Sequence, residues 1–555
     1  MQFRWNHTQG EPDYDRETGF GFVTGAVYTA DAGLHIPETN SGFLPLWWYA
    51  GTPISDIQQS EYGLQATAAE ALRTEDAADR RLPVWLRIQV PGEGVYRAEI
   101  TVTGTDGGEV LVFTGRRRLA WRGVLPAGAQ QIVTAYCDVF PIVPRGQADA
   151  VDSDAVNIAV VGGALSAVAL AEAPHTRRIW VCGDSTVTDQ TGELPYAPGT
   201  SYAGWGQMLP AYLPEVCITN HAHSGLTTES FLSEGHWAIV KPRLRAGDIC
   251  LFQFGHNDQK LAHLQARGGY TDRLRTYIKE TRTARAVPVL ITPLARNSWR
   301  DPTHYNDFLA DFADAVLDLG KEEAVPVLDL HAYAMQLIRQ EGLETKRFYP
   351  GDYTHTNDFG AYRMAGFVAG ALGKAVGLPV ADSPAWTPAP PFAPLTPPKD
   401  CALPAPDTDP FADYDATRPQ EVLTRAEALE LAIKALKLFP INVYNDLYAD
   451  IVGHETYAGT VQCAAQNDLI PAAWVADGRL YPQRTVTAAD FLAVLMPGAA
   501  GRRPLAAPSP LPDSVPAYAR FAAGQAVAEQ LISADSLNDP ITRSDAAALC
   551  RRLHI

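Results

Sequence analysis

Four short polar blocks in the middle of the chain contain the residue types that acyl transfer needs. They occupy 183–186, 220–225, 255–258 and 352–355, and the first three directly follow apolar runs. Acyl transfer requires a nucleophile, a base that takes its proton, a group that orients the base, and donors for the oxyanion. Each block alone could be a helix cap or a turn, because Ser, Asp, Asn and Gly are common there. Their order and their positions together favour the chemical interpretation.

The blocks supply one candidate for each of these roles. Ser185 is the candidate nucleophile, His355 the candidate base, and Asp352 the group that would fix the tautomer of His355. The backbone N–H groups of Ser185 and Gly225, with the side-chain amide of Asn257, are the candidate oxyanion-hole donors. This set works without a metal ion or an organic cofactor, so neither is expected. Two further histidines in the second block lack other ligands at zinc spacing and are interpreted as structural or substrate-lining: His221 and His223.

The elements that must position these residues are predicted from 176 to 377, the candidate catalytic domain. Short, continuously apolar runs alternate there with amphipathic stretches, which indicates an α/β fold with a parallel sheet covered on both faces. Sites in such sheets lie beyond the carboxyl ends of the strands. The predicted strands are 179–182, 216–219, 249–254, 287–292 and 325–330, and the predicted helices include 272–285 and 306–321.

The N-terminal part, 1–175, has a β-type pattern broken by Gly, Pro and Asp. Alternating runs at 84–90, 96–102 and 109–113 predict an antiparallel β-sandwich. The apolar stretch 155–173 contains a central Gly-Gly pair, which favours a β-hairpin at a domain edge over a membrane span.

Beyond the catalytic domain, 378–420 is rich in proline and predicts an extended linker, and 421–555 predicts a small all-α domain. This last part is repetitive. Thr424, Thr487 and Thr542 each open a helix as its N-cap, with an acidic residue three positions later.

Composition limits the classes of partner. The 555 residues carry a formal net charge of −18, which argues against nucleic acid or an anionic membrane as the main partner. The seven cysteines are scattered without CxxC pairs, so buried thiols are expected. No secretory signal is visible, which favours the cytoplasm; a secreted or cell-surface location is the alternative if a leader was removed.

The middle of the chain resembles the SGNH hydrolase superfamily, and within it the rhamnogalacturonan acetylesterases. The resemblance rests on GWGQMLP at 204–210, NHAHSGLTTESF at 220–231, FQFGHNDQK at 252–260 and DYTHTNDFGA at 352–361. It implies a flavodoxin-like sheet, the roles given above for the five site residues, and hydrolysis of O-acetyl esters on pectic glycan through an acetyl-enzyme. The N-terminal part looks like the galactose-binding-like accessory β-domain that often precedes such esterases.

The C-terminal repeats resemble S-layer homology motifs, through TRAE at 424–427, TAAD at 487–490 and TRSD at 542–545. That resemblance implies contact with cell-wall glycan and hence the cell surface, in conflict with the missing signal. Intracellular work on imported oligosaccharides, with repeats that have been repurposed for packing or for homo-oligomer formation, is the preferred reconciliation.

Two alternatives to a pectic substrate stay open. One is another ester, such as acetylated xylan or a lipid ester; the other is a glycan-binding scaffold without activity. Three cationic residues could neutralise uronate carboxylates, although solvated surface charge is the default expectation for them: Lys260, Arg296 and Arg300.

Overall fold

The structure is a computed structural model, and its contacts divide the chain into two compact units. The first comprises Met1–Asp258, Gln265–Asn297 and Phe308–Thr396; the second comprises Gln259–Leu264, Ser298–Asp307 and Pro397–Ile555. The structure describes residues 2–10, 12–23, 27–29, 33–35, 48–49, 57–66, 83–143, 149–190, 192–193, 196, 198–261, 263–301, 304–305, 307–349, 352–386, 409–436, 438, 447–452, 455–500 and 503–553. Most of the predicted linker therefore lies outside the described residues.

Two antiparallel sheets precede the candidate catalytic domain and share one apolar core. One has the order β12-β9-β14-β7-β6, with β1 paired to β14, and the other has the order β11-β10-β13-β8-β2. Alternate side chains of both sheets, such as Ile100 and Ile158, are fully buried between them. The strands of this part of the chain, of which β3, β4 and β5 lie outside the two sheets, are β1 Gln2–Asn6, β2 Phe20–Phe22, β3 Val27–Thr29, β4 Gly33–His35, β5 Trp48–Tyr49, β6 Ile57–Ser60, β7 Gly63–Ala66, β8 Val84–Gln89, β9 Gly94–Thr103, β10 Glu109–Thr114, β11 Arg118–Val124, β12 Gln130–Val139, β13 Ala155–Val161 and β14 Ala164–Glu172.

The predicted hairpin over 155–173 is wrong in its pairing. A turn does occur at Gly162, whose φ is +78°. However, β13 pairs with β8 and β10, whereas β14 pairs with β9, β1 and β7 in the other sheet. Both strands are interior, so the chain crosses from the middle of one sheet to the middle of the other. Their continuous apolar character reflects this central position and not a domain edge.

The candidate catalytic domain, 176–377, is called the catalytic region below and is built on a five-stranded parallel sheet of order β17-β15-β18-β19-β22. This is the flavodoxin-like order 2-1-3-4-5. The first three of its strands are buried along their whole length, as the apolar runs predicted. The remaining strands are β15 Arg178–Gly183, β16 Gly192–Glu193, β17 Cys217–Asn220, β18 Ile249–Gln253, β19 Val287–Ile291, β20 Trp299–Asp301, β21 His304–Tyr305 and β22 Val327–Leu328.

Helices connect the parallel strands. The two predicted from amphipathic pattern are present as α4 and α5, which bury one face each against the core. The helices of this region are α1 Trp205–Met208, α2 Ser230–Ser233, α3 His236–Val240, α4 Thr271–Thr283, α5 Ala310–Glu322, α6 Leu330–Glu341 and α7 Asp358–Val376.

The described part of 409–553 contains helices around a core of its own. Three short segments meet in a ring of backbone hydrogen bonds: Leu423 N–H to Ile541 O at 2.9 Å, Val486 N–H to Leu423 O at 3.0 Å, and Ile541 N–H to Val486 O at 3.3 Å. Each is followed by a threonine whose Oγ1 accepts the N–H of the acidic residue three positions on. The helices are α8 Ala412–Ala416, α9 Arg425–Ala435, α10 Ala458–Gln466, α11 Ala488–Ala500, α12 Arg520–Ala528 and α13 Arg543–Leu553.

The six cysteines that fall among the described residues are free and buried, and Cys401 lies outside them. Every helix in the described ranges is too short or too polar to cross a bilayer.

Candidate active site

Three of the predicted site residues form a hydrogen-bonded chain. His355 Nε2 lies 2.8 Å from Ser185 Oγ, and His355 Nδ1 lies 2.7 Å from Asp352 Oδ2. The side chains of His355 and Asp352 are 29% and 34% exposed, so an ester and a water molecule can reach them. An imidazole at this distance from a hydroxyl can take its proton, and the carboxylate can hold the imidazole in the required tautomer.

Ser185 is held at the carboxyl end of β15 by the residues around it. Asp184, fully buried, accepts the N–H and Oγ1–H of Thr186 through Oδ1, while its Oδ2 lies 3.1 Å from His256 Nδ1. Burial alone would raise the pKa of Asp184, but the His256 contact and the Thr186 bonds bring it below its ordinary value. The side-chain amide of Gln190 also donates to Ser185 O at 2.7 Å. The loop that carries Ser185 is therefore fixed on both sides.

His355 is fixed by the turn that begins at Asp352. Asp352 Oδ1 accepts the backbone N–H groups of Thr354 at 2.6 Å and of His355 at 2.7 Å. Burial would raise the pKa of Asp352, yet the hydrogen bonds from His355 and Thr354 lower it, so the carboxyl group is ionised at neutral pH. Two residues after His355, Asn357 caps α7 by accepting the N–H of Gly360.

Gly225 and Asn257 come from the strands on either side of β15. Gly225 follows β17, is exposed, and has φ +88°, a left-handed conformation that favours glycine. Asn257 follows β18, is 8% exposed, and donates its amide Nδ2–H to Leu226 O at 3.0 Å. The sheet order β17-β15-β18 thus brings the second and third blocks to the edge that carries Ser185.

Sequence reasoning placed Asp258 in the third block without giving it a role; the structure shows that it joins the loop after β17 to the loop after β18. Its Oδ1 accepts the N–H and Oγ1–H of Thr228, and its Oδ2 accepts Gly255 N–H at 3.0 Å. Complete burial raises the pKa of Asp258 to about 7, although each of these bonds acts to lower it. The signal available in the sequence was the position of Asp258, an acidic residue directly after the candidate donor Asn257.

The expectation that Arg296 is solvated is wrong. The residue is 4% exposed; one guanidinium nitrogen donates to Thr354 Oγ1, another donates to His256 O at 3.1 Å, and the group lies over the ring of Tyr353. It therefore supports the turn that precedes His355. The side chain of Arg300 lies outside the described residues.

The two histidines of the second block are packed within the protein. His221 is 4% exposed and its ring lies 5.4 Å from that of Trp180; burial lowers its pKa well below the ordinary value. His223 lies beside His236, with 5.2 Å between ring centroids. Within the described ranges, no three His, Cys, Asp or Glu side chains are grouped to hold a metal ion.

Comparison with known proteins places this geometry in a family. The profile of the GDSL-like lipase/acylhydrolase family matches residues 181–363, a range that contains all five predicted site residues. Rhamnogalacturonan acetylesterase RhgT of Bacillus subtilis (strain 168) is 32% identical over 222 residues, which are 37% of this chain and 93% of that protein. Rhamnogalacturonan acetylesterase of Emericella nidulans is 27% identical over 238 residues, 38% of this chain and 90% of that protein.

A third relative, the uncharacterized esterase YxiM of Bacillus subtilis (strain 168), is 24% identical over 360 residues, 63% of this chain and 82% of that protein. With a matched family profile, and with a relative above 30% identity that is covered almost completely, the chain belongs to the GDSL-like lipase/acylhydrolase family of ester hydrolases.

Proposed function

We propose that this protein is a serine carbohydrate esterase that removes O-acetyl groups from pectic glycan. The observation that carries the proposal is the chain Ser185 Oγ, His355 Nε2, His355 Nδ1 and Asp352 Oδ2, with contacts of 2.8 and 2.7 Å. A serine paired with a base that is itself oriented by a carboxylate is the arrangement used in acyl transfer on several unrelated folds.

In the first half of the reaction, Ser185 Oγ attacks the acetyl carbonyl carbon and its proton moves to His355 Nε2. The carbonyl oxygen gains negative charge and accepts hydrogen bonds from Ser185 N–H, Gly225 N–H and Asn257 Nδ2–H. The bond between the carbonyl carbon and the sugar oxygen then breaks, and His355 delivers the proton to that oxygen. The products are a free sugar hydroxyl and acetyl-Ser185.

In the second half, a water molecule gives a proton to His355 Nε2 and its oxygen attacks the acetyl group. The bond to Ser185 Oγ breaks, Oγ regains the proton, and acetate leaves. Asp352 stabilises the imidazolium in both halves without taking the proton. Loss of one oxyanion donor costs roughly 3–4 kcal/mol in related chemistry, so each of the three donors is expected to matter.

The pectic substrate is supported by similarity. Two relatives that are 32% and 27% identical over most of their own length are named rhamnogalacturonan acetylesterases. The resemblance to that family also includes GWGQMLP, which lies outside the four polar blocks, and FQFGHNDQK, which extends the third block on both sides. A glycan-anchoring role for the C-terminal repeats and the cellular location stay predictions.

The test is acetate release from acetylated rhamnogalacturonan oligosaccharides, compared with acetylated xylan and a short aryl acetate. Ser185→Ala removes the nucleophile and should reduce release by about 10⁴-fold or more. Ser233→Ala is the matched control, because Ser233 is exposed at the end of α2 and should keep full activity.

Each outcome decides between the alternatives. Serine-dependent release chiefly from the pectic substrate supports the full proposal. Release chiefly from xylan, or from the aryl ester alone, contradicts the pectic substrate while retaining the serine mechanism. If none of the three esters is hydrolysed in a way that depends on Ser185, a glycan-binding scaffold is favoured.

A further inference from the structure

Three consecutive arginines stand at the turn between β10 and β11, and all three bond to the catalytic region. Arg116 donates to Asn220 O at 2.8 Å, and Arg118 donates to Ile218 O at 2.7 Å and to Asp189 Oδ2 at 2.8 Å. Through Arg116 and Arg118, the hairpin formed by β10 and β11 is attached to the carboxyl end of β17.

Arg117 lies between these two arginines, and its fully buried side chain bonds to three other segments of the catalytic region. Its Nη1 donates to Asp358 Oδ1 at 2.6 Å, its Nη2 to Tyr202 O at 2.5 Å, and its Nε to Gln190 O at 3.3 Å. The side chains of Arg117 and Asp358 are both 0% exposed. A single guanidinium therefore joins three catalytic-region segments, and its planar fork suits such simultaneous bonds better than an ammonium would.

Two of the partners of Arg117 contact the segments of Ser185 and His355, and the third lies close to His355 in the sequence. Gln190 donates its side-chain amide to Ser185 O at 2.7 Å. The ring of Tyr202 lies 5.4 Å from the ring of His355. Asp358 is the first residue of α7, three positions after His355, and its Oδ2 also accepts Gly199 N–H at 3.0 Å. The segments that carry Ser185 and His355 are thus both fixed to one group from the N-terminal sheets.

We propose that Arg117 is a positioning residue of the hydrolase site, supplied by the N-terminal sheets. The N-terminal sheets are then part of the catalytic apparatus, because the distance between Ser185 Oγ and His355 Nε2 depends on them. This inference rests on the proposed function for the roles of Ser185 and His355.

Removal of the guanidinium leaves the buried carboxylate of Asp358 without its cation, a strongly unfavourable state that we expect to displace the start of α7 and the turn before it, which carries His355. A displacement of about 1 Å at reacting groups can cost about 10²-fold in rate. We therefore expect Arg117→Met to lower kcat by about that factor.

The experiment measures reactivity and active fraction separately. A fluorophosphonate that labels the nucleophilic serine gives the number of reactive sites per chain at completion and the rate constant of labelling. Arg117→Met should still label close to one site per chain, but with a rate constant about 10²-fold lower, and kcat on a short aryl acetate should fall in parallel. Arg117→Lys keeps the charge but not the planar fork, so its labelling rate constant should lie between those of the wild type and Arg117→Met.

Arg87→Met is the matched control. Arg87 lies in β8, is 2% exposed, and is paired at 2.6 Å with Asp154, which directly precedes β13; neither residue belongs to the catalytic region. Its loss should lower the thermal midpoint while the labelling rate stays within about threefold of the wild type. Equal rate losses in Arg87→Met and Arg117→Met would overturn the inference, as would an unchanged rate in Arg117→Met.

Two further outcomes are decisive. If Arg117→Met does not fold, Arg117→Lys carries the test, and a wild-type labelling rate in that variant would overturn the inference. Failure of the proposed substrate is separate, because a wild type that labels and cleaves the aryl ester but not pectic glycan contradicts only that assignment.

Discussion

His355 can act as a base only if its proton is on Nδ1, which leaves the Nε2 lone pair facing Ser185 Oγ. Asp352 fixes this tautomer with Oδ2, and its Oδ1 accepts two backbone N–H groups that hold the carboxylate in place. The two oxygens of Asp352 therefore have different tasks. One orients the carboxylate, and the other orients the imidazole.

Asp352→Asn separates these tasks. The new Oδ1 still accepts the backbone N–H groups, but Nδ2 turns a donor toward His355 Nδ1 and forces the proton onto Nε2. We expect kcat to fall by about 10³–10⁴-fold with a nearly unchanged KM, because the base is in the wrong tautomer while the binding surface is intact. Steady-state kinetics on an aryl acetate checks this expectation.

Asp329→Asn is the control for that substitution. Asp329 caps α6 through Ala332 N–H and accepts Thr292 Oγ1–H, and Asn caps helices as well as Asp does. Its kcat should stay near the wild-type value. Comparable losses in the two variants would contradict the tautomer explanation.

At the scale of elements, Asp258 joins the loop after β17 to the loop after β18, and so joins the elements that carry Gly225 and Asn257. Its folded-state pKa of about 7 lies above the ordinary carboxyl value of 3.8. At pH values between these two pKa values, the folded protein therefore keeps a proton that the unfolded chain has lost. This contribution to stability is complete below about pH 4 and disappears as the pH rises through about 7.

Asp258→Asn removes this titration. Between about pH 5 and about pH 7 the wild type should lose up to roughly 2–3 kcal/mol relative to the variant, at about 1.4 kcal/mol per pKa unit. Thermal midpoints measured across this range for both proteins check the difference in slope. Parallel pH profiles would show that Asp258 is ionised throughout.

The elements of the catalytic region could largely be predicted, because buried parallel strands are continuously apolar and the polar blocks follow them directly. The strand pairing in the N-terminal sheets could not be predicted. The sequence indicates the turn at Gly162, but the sheet that β14 joins depends on its pairing with β1 and β9, which lie far from it in the sequence. The same holds for Arg117, whose partner Asp358 lies 241 positions later. Burial of Arg296 was missed because its acceptors, Thr354 Oγ1 and His256 O, lie in other blocks.

At the scale of the whole molecule, the formal charge of −18 acts on any charged substrate before contact. A pectic oligosaccharide carries uronate groups and is repelled at low ionic strength, whereas acetylated xylo-oligosaccharides without uronate groups are not. The Debye length falls from about 30 Å at 0.01 M salt to about 8 Å at 0.15 M, so added salt removes most of this repulsion.

We therefore expect kcat/KM for acetylated rhamnogalacturonan oligosaccharides to rise several-fold from about 0.01 M to about 0.15 M salt, while kcat/KM for a neutral aryl acetate stays flat. Because screening changes the encounter and not the chemistry, kcat for both substrates should be unaffected. Initial rates at low substrate concentration over a salt series provide the measurement. A decrease with salt for the pectic substrate alone would instead mean that cationic groups beside the site attract the uronate groups more strongly than the acidic surface repels them.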